Sequence, residues 1–368
     1  MSEYALHLTS PESGSVPRPH VVGPAMPPRV VRATREDIRL WDEFVQTRPE
    51  SSFFHLFAWR DIIENVFHHR TWYLFARRGD TVTGVLPLAQ VKSLLFGHAL
   101  VSLPFCVYAG IIADDPESAD ALVAEAEAIA ADIGAGHLEL RQTRALHPQW
   151  PHQDLYVTFR KPILPEVEAN MLAIPRKQRA MVRKGIKAGL TGAVDTDMDR
   201  FFELYADNVH RHGTPALPKR YFTALLEVFG ARVEPLIVGD ASGKAVSGVL
   251  SFYFRDEVLP YYAGDVPAAR SLAANDFKYW ELMRRACERG VRVFDYGRSK
   301  RGTGSFDFKK NWGFEPQPLH YEYRLYGRST VPQQNPSNPK YRLFIDLWRR
   351  LPRPVVNRLG PFIVRNLG

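Results

Sequence analysis

The sequence predicts an α/β (α+β) protein made of two tandem copies of one unit, each with a mixed central sheet. Two blocks run through the same order of strand, turn, strand, apolar run, helix, glycine stop and strand, and self-similarity of this kind marks a duplicated supersecondary unit. The register agrees, since Gly134 to Gly290 is a shift of 156 and so is Glu139 to Asp295. With 368 residues, 45% hydrophobic and 24% charged, the chain has length for two ordinary domains and no bias toward disorder.

In the first block Trp72–Arg77 reads as a strand, Gly79-Asp80 as a turn and Val82–Val91 as the returning strand. The apolar run Leu100–Ile112 follows, holding Tyr108-Ala109-Gly110. A helix over about Ser118–Ile133 puts alanine and leucine on one face and stops at Gly134 and Gly136, ahead of the strand His137–Leu140. The second block gives Val233–Val238, the turn Ala241–Lys244, Ala245–Phe254 and Val258–Ala263 with Tyr262-Ala263-Gly264. A helix over about Asn275–Arg289 then stops at Gly290 before a strand into Asp295. Tyr108 to Tyr262 is a shift of 154 and GDTVTGVLPL meets SGKAVSGVLSF at a shift of 164, which implies loops of different length.

The expected boundaries are a flexible tail over 1–28, a first domain over 29–165, a basic connecting helix over 166–192, a second domain over 193–330 and a basic amphipathic segment over 331–368. The tail is rich in Pro, Ser and Gly and has no apolar stretch of the signal-peptide kind. No window reaches the roughly 18 apolar residues that a spanning helix needs, so the chain is expected in the cytoplasm. Cys106 and Cys287 lie in apolar or helical surroundings and read as buried thiols, with no disulfide and no cysteine metal site expected. The net charge of +8 favours an anionic partner: nucleic acid, a phosphorylated substrate or an acidic membrane surface.

Charge is concentrated in three places. Pro175–Leu190 is a helical pattern carrying Arg176, Lys177, Arg179, Arg183, Lys184 and Lys187 with almost no compensating acid. Arg179 and Arg183, four apart, share a face. Two further helices, over about Asp197–His212 and Lys219–Phe229, flank Gly213-Thr214-Pro215. The segment Val293–Phe314 opens as a strand and breaks into a loop in which Gly297, Gly302 and Gly304 alternate with Arg298, Ser299, Lys300, Arg301, Thr303 and Ser305. Glycines admit close backbone approach and the cations supply charge-assisted bonds, so the loop reads as an anion site or as a solvated turn. Lys340–Gly368 sets six arginines against the single acid Asp346, interleaved with Phe344, Leu347, Trp348, Leu351, Phe362 and Ile363. That is the composition of an interfacial helix, with packing on the second domain as the competing reading.

A strand ending in Tyr-Ala-Gly, a loop, a helix to a glycine stop and a further strand resemble the core of the GNAT acyltransferase fold. There a splayed strand exposes backbone donors and the next helix N-terminus receives the donor's phosphates. The loop Asp265–Ala274 carries Arg270 and no glycine cradle, while the first block's Asp114, Asp115 and Glu117 suit a helix dipole and repel phosphate. The first copy thus reads as scaffold and the second as the working half.

The tandem arrangement with RKQRAMVRKG, HGTP, YYAG, DYGRSK and FKKNWGF in order resembles the FemAB (Fem ligase-like) superfamily, nearest to its exosortase/PEP-CTERM system-associated branch, over roughly Arg29–Leu325. The resemblance implies N-acyl transfer with acyl-CoA or aminoacyl-tRNA as donor substrate, no tightly bound cofactor, no metal and no DNA partner. Its acceptor is an amine of a cell-envelope or exopolysaccharide precursor: an anionic glycan or a lipid-linked precursor. Contact through 340–368 would place the enzyme peripherally at the inner face of the cytoplasmic membrane. Only ten residues separate Gly264 from Asn275, so the long helical arm that some Fem ligases insert there is missing, which weighs against tRNA recognition of the arm-bearing kind. A peptidoglycan aminoacyl-tRNA-dependent ligase and a non-catalytic module binding anionic glycan or RNA are the alternatives.

The resemblance also distributes roles. Asp295 orients or deprotonates the amine, or pairs structurally with Arg298 or Lys309; Lys309 stabilises the developing oxyanion; Tyr262 donates to substrate or leaving group, or is a core tyrosine. Arg179 and Arg183 bind acceptor phosphate or carboxylate; Arg298, Ser299 and Lys300 line the anion site. His212, Thr214, Tyr261 and Asn275 complete the substrate set, and Gly264 and Arg270 serve the donor. Phe308 and Trp312 are expected in the core.

Overall fold

A computed structural model describes residues 26–93, 97–327, 329–331 and 339–366, without the side chains of 339–344 and 354; most of the expected tail over 1–28 falls outside them. In chain order the elements are β1 (Arg29–Arg32), α1 (Ile38–Thr47), α2 (Trp59–Asn65), β2 (Thr71–Arg78), β3 (Thr81–Ser93), β4 (Gly97–Val101), β5 (Ile112–Ala113), α3 (Pro116–Asp132) and β6 (His137–Gln142). Next come β7 (His152–Gln153), β8 (Tyr156–Thr158), β9 (Arg160–Pro162), α4 (Val167–Ala173), α5 (Arg176–Lys187), β10 (Thr191–Val194), α6 (Met198–Arg211) and α7 (Lys219–Phe229). Then follow β11 (Val233–Gly239), β12 (Ala245–Phe254), β13 (Glu257–Asp265), α8 (Ala269–Leu272), α9 (Ala274–Glu288), β14 (Val293–Asp295), β15 (Ser299–Lys300), α10 (Gly304–Asn311), β16 (Gln317–Pro318), β17 (His320–Leu325), α11 (Pro339–Arg350) and α12 (Arg353–Val364).

Two mixed sheets are built to one plan. The first runs β1-β2-β3-β4-β6-β17-β7, with β5 also on β3, and the second β10-β11-β12-β13-β14-β9. Among the described residues each sheet has one parallel pair, β4 with β6 and β13 with β14, whose strands flank the long helix in sequence, with the short β5 also between β4 and α3. Each sheet is then closed by a strand from the other half. β17 lies antiparallel on β6, and β9 lies antiparallel on β14. The pairing therefore crosses the expected boundaries at 165 and 193, because β9 lies before the first and β17 after the second. A small sheet, β15-β8-β16, ties the exchanged segments together.

Local signals account for most elements. Asp115 caps α3, its side chain accepting from the Ser118 N–H, with Pro116 inside the first turn. Gly134 (φ 66°) and Gly290 (φ 75°) end the two long helices in the left-handed conformation that favours glycine. The expected match of Tyr108-Ala109-Gly110 to Tyr262-Ala263-Gly264 is corrected by the register. Gly248 faces Gly264 and its counterpart Gly84 faces Ala113, so β5 holds the equivalent place. Tyr108-Ala109-Gly110 instead belongs to an irregular excursion, residues 102–111, between β4 and β5. The loop reading of the glycine segment is also half corrected: Thr303 caps Gly304–Asn311, which is the helix α10.

The two halves share one apolar core. Phe53 stacks on Phe252 with centroids 4.5 Å apart and tilts on Phe229 at 4.7 Å, while Phe67 meets Tyr221 at 5.3 Å. Helix α7 thereby lies against α2 and the excursion, with α6 packed beside it in the same apolar core. The C-terminal helices pack on α6: Trp348, Val356 and Val364 are buried, the His210 Nε2 lies 3.2 Å from the Trp348 carbonyl, and Arg353 pairs with Asp207. The packing reading of 340–368 holds for these faces. None of the described helices is long and apolar enough to cross a membrane.

Candidate active site

Beyond Val258, β13 has no strand partner on its β14 side, and the two strands diverge. Tyr261, Tyr262 and Ala263 are only half-buried although β13 is an interior strand. The opening is roofed by the excursion from the other half, whose Phe105 carbonyl accepts from the Tyr261 hydroxyl at 2.6 Å. Its lower wall is the turn after β14. There Arg298 is exposed, with its guanidinium 4.4 Å from the Tyr156 ring centroid and Nη1 donating to the Tyr321 hydroxyl at 3.2 Å. A guanidinium set over aromatic rings on an exposed residue suits a carboxylate or phosphate.

The turn is fixed from beneath. Lys309, nearly buried, donates from Nζ to the carbonyls of Tyr296 (2.7 Å), Gly297 (2.9 Å) and Arg298 (3.2 Å). Burial pushes its amine down to about 7, against the pull of Asp295. Three carbonyl acceptors match the three N–H groups of the protonated form. Lys309 thus holds the turn and does not project into the opening.

Asp295 is fully buried. Its Oδ1 accepts from the Gly297 N–H (2.7 Å), the Thr158 hydroxyl (3.1 Å) and the Tyr108 hydroxyl (3.2 Å), and Oδ2 lies 3.3 Å from the Arg160 Nε. Arg160 also pairs with Glu257. Two carboxylates therefore share one guanidinium. Burial pushes both up, with Asp295 as the second cause at Glu257, whose carboxyl reaches about 8. Neither Arg298 nor Lys309 pairs with Asp295 directly; the partner is Arg160, on the exchanged strand.

The remaining expected residues divide. Ser299 is buried and Lys300 half-buried in β15, beside the turn. The Tyr262 hydroxyl lies 3.0 Å from that of Tyr221, inside an aromatic group with Tyr205 and Phe222. Gly264 is packed on α6, where a Cβ would stand 2.4 Å from the Leu204 carbonyl, so close approach of two backbones explains this glycine. Arg270 is exposed on α8 and Asn275 half-buried at the start of α9, away from the turn in sequence and element. Arg183 is exposed and Arg179 half-buried on α5, which packs on α9; Arg179 donates to the Leu172 carbonyl at 2.9 Å. His212 caps its own helix through Asn208, and Gly213-Thr214 turns the chain under α11, so HGTP serves as a helix end that seats the C-terminal helices. Trp312 is in the core, as expected, donating to Asp276 at 3.0 Å.

Sequence reasoning missed Tyr156, Tyr321, Tyr108, Arg160 and Glu257. A signal existed for the tyrosines, since Tyr321 and Tyr323 alternate in His320–Leu325 as one face of a strand does.

Two sheets of matching order, each with one parallel pair framing a long helix, define a tandem GNAT fold. Residues 176–310, from the start of α5 into α10, match the acetyltransferase (GNAT) domain family. That span contains the open splay. No curated protein matches the chain. Among solved structures the chain is similar to FemX (TM-score 0.62, 15% identity, covering 80% of this chain and 97% of that one). It is also similar to L-PGS from Bacillus licheniformis (TM-score 0.54, 13% identity, 87% and 98%). A tandem GNAT protein from the clavulanic acid biosynthesis pathway gives a TM-score of 0.53 at 13% identity, over 82% and 100%. At such identities the likeness is one of fold.

Proposed function

We propose that the chain is an N-acyltransferase that transfers an acyl or aminoacyl group to an amine of a cell-envelope or exopolysaccharide precursor, of the kind handled in exosortase/PEP-CTERM systems. The observation that carries this reading is the open splay, which lies in the half matched by the acetyltransferase family and has an exposed arginine at its mouth. The amine nitrogen attacks the donor carbonyl, the new C–N bond forms, the C–S or C–O bond to the carrier breaks, and the amine proton ends on the carrier. The unpaired edge of β13 offers backbone N–H groups to the donor, and Arg298 takes the anionic group of the acceptor. Lys309 and Asp295 act as positioning residues that hold the turn and the roof. Acyl-CoA is the first donor to test, given the family matched; aminoacyl-tRNA is the second, suited by the cluster of cations on α5.

Incubation of the full chain with acyl-CoA or charged tRNA and amine-bearing nucleotide sugars should release carrier and yield an amide. Arg298→Ala should lower kcat/KM by roughly 10- to 100-fold, the scale of one lost charge-assisted contact, with the melting curve kept. Ribonuclease sensitivity separates the two donors. No transfer from either, alongside binding of glycan or RNA, would establish the non-catalytic module instead, and unchanged kcat/KM in the variant would remove Arg298 from the site.

A further inference from the structure

Helices α11 and α12 each bury one side, and α12 leaves an apolar stripe exposed on another. On α12, Val356, Gly360 and Val364 turn inward against the 215–216 segment and α6. Val355, Leu359 and Phe362, at i, i+4 and i+7, form the opposite stripe and are 39%, 46% and 63% exposed. Leu347 of α11, 58% exposed, adds to the apolar surface of the pair. Arg358 and Arg365, about two helical turns apart, run along one edge of the stripe, and Arg350 stands at the end of α11. None of these three has a carboxylate partner among the described residues, whereas Arg349 and Arg353 are paired with Asp346 and Asp207.

We infer that this stripe docks on an anionic phospholipid surface. An apolar row edged by unpaired arginines places aliphatic and aromatic side chains at the acyl boundary while the guanidinium groups reach the headgroup phosphates. Charge selects a lipid surface over a second copy of the chain: two such faces brought together would set unpaired arginines against unpaired arginines. The arrangement needs no acyl-transfer chemistry and stands apart from the site above. Docking there would hold the enzyme on the bilayer through the face of α12 that looks away from α6.

The full chain should sediment with vesicles of phosphatidylcholine containing phosphatidylglycerol. It should bind pure phosphatidylcholine at least tenfold more weakly and lose affinity as salt rises, because each arginine near the surface contributes about a fivefold factor. Leu359→Gln with Phe362→Gln should lower vesicle affinity at least tenfold, and Arg358→Gln with Arg365→Gln roughly thirtyfold, two such factors combined. All four side chains are exposed, so thermal melting should be unchanged and reports folding independently. Retained vesicle binding in the apolar variant would overturn the inference. So would a concentration-dependent dimer, without vesicle binding, that the same variant dissolves.

Discussion

The two splayed strand pairs begin alike and end differently. In the first half, the excursion 102–111 fills the gap between β4 and β6: Ser102 N–H bonds to the Glu139 carbonyl, and Arg141 is buried, donating to the carbonyls of Leu103 and Cys106 and pairing with Glu139 at 2.7 Å. The cleft left beside it, between His55, Tyr108, Gly110 and Gln142, admits little more than a water. In the second half no insertion follows, β13 runs on with one bulge, and Arg298 faces solvent. One duplicated frame thus yields a plug and an opening. The plug of the first half is also the roof of the second, through Phe105, Val107 and Tyr108. Leu103 and Phe105 hold positive φ (55° and 66°), strain of the sort kept where surrounding structure fixes a functional backbone.

The contrast is open to direct attack. The largest effect should come from Arg141→Met, which strands the half-buried Glu139 carboxylate and two carbonyls and should cost about 3 kcal/mol in urea unfolding. Arg298→Met, the same change in the open splay, should cost about 1 kcal/mol or less. Equal costs would mean that the second splay is as closed as the first. Next in size is a pH effect confined to the second half. The Glu257 carboxyl sits near 8 when folded and at 4.5 when free, so between these values the folded chain binds the extra proton and stability falls as pH rises. The fall should be on the order of 1 kcal/mol or more and should flatten in Glu257→Gln, as read by melting from pH 5 to 7, below the range in which the buried Lys309 amine acts in the opposite sense. A variant that keeps the slope would separate Glu257 from it. The smallest effect is expected from Tyr261→Phe, which removes the roof bond to Phe105 and should lose about 1 kcal/mol. Amide exchange at 103–107 should rise with it.

Elements with local signals could be read from the chain. The helices Pro116–Asp132 and Ala274–Glu288 lie within two residues of their expected spans because a cap or turn begins each and a glycine ends each. α10 escaped because eight residues between glycines give too few turns for periodicity to show. The site was half legible. Arg298 was singled out by the composition of the glycine loop and Lys309 by the family resemblance, yet only the fold reveals that one is exposed and the other props the turn. Arg160, Tyr156 and Tyr321 reach the site through exchanged strands, and pairing across such sequence distance leaves no local trace.

The exchange also sets an order of events in the cell. The first sheet waits for β17, so it is completed only after the ribosome has passed Leu325, and the second borrows β9, made long before its own strands. An edge of β6 stays open throughout synthesis of the second half, a stage at which a nascent chain is most exposed to aggregation and to chaperones. A fragment cut to residues 176–310 would lack β9, and a fragment ending at 165 would lack β17. Neither fragment holds every strand of its own sheet, so each would present an open edge where the other half now pairs.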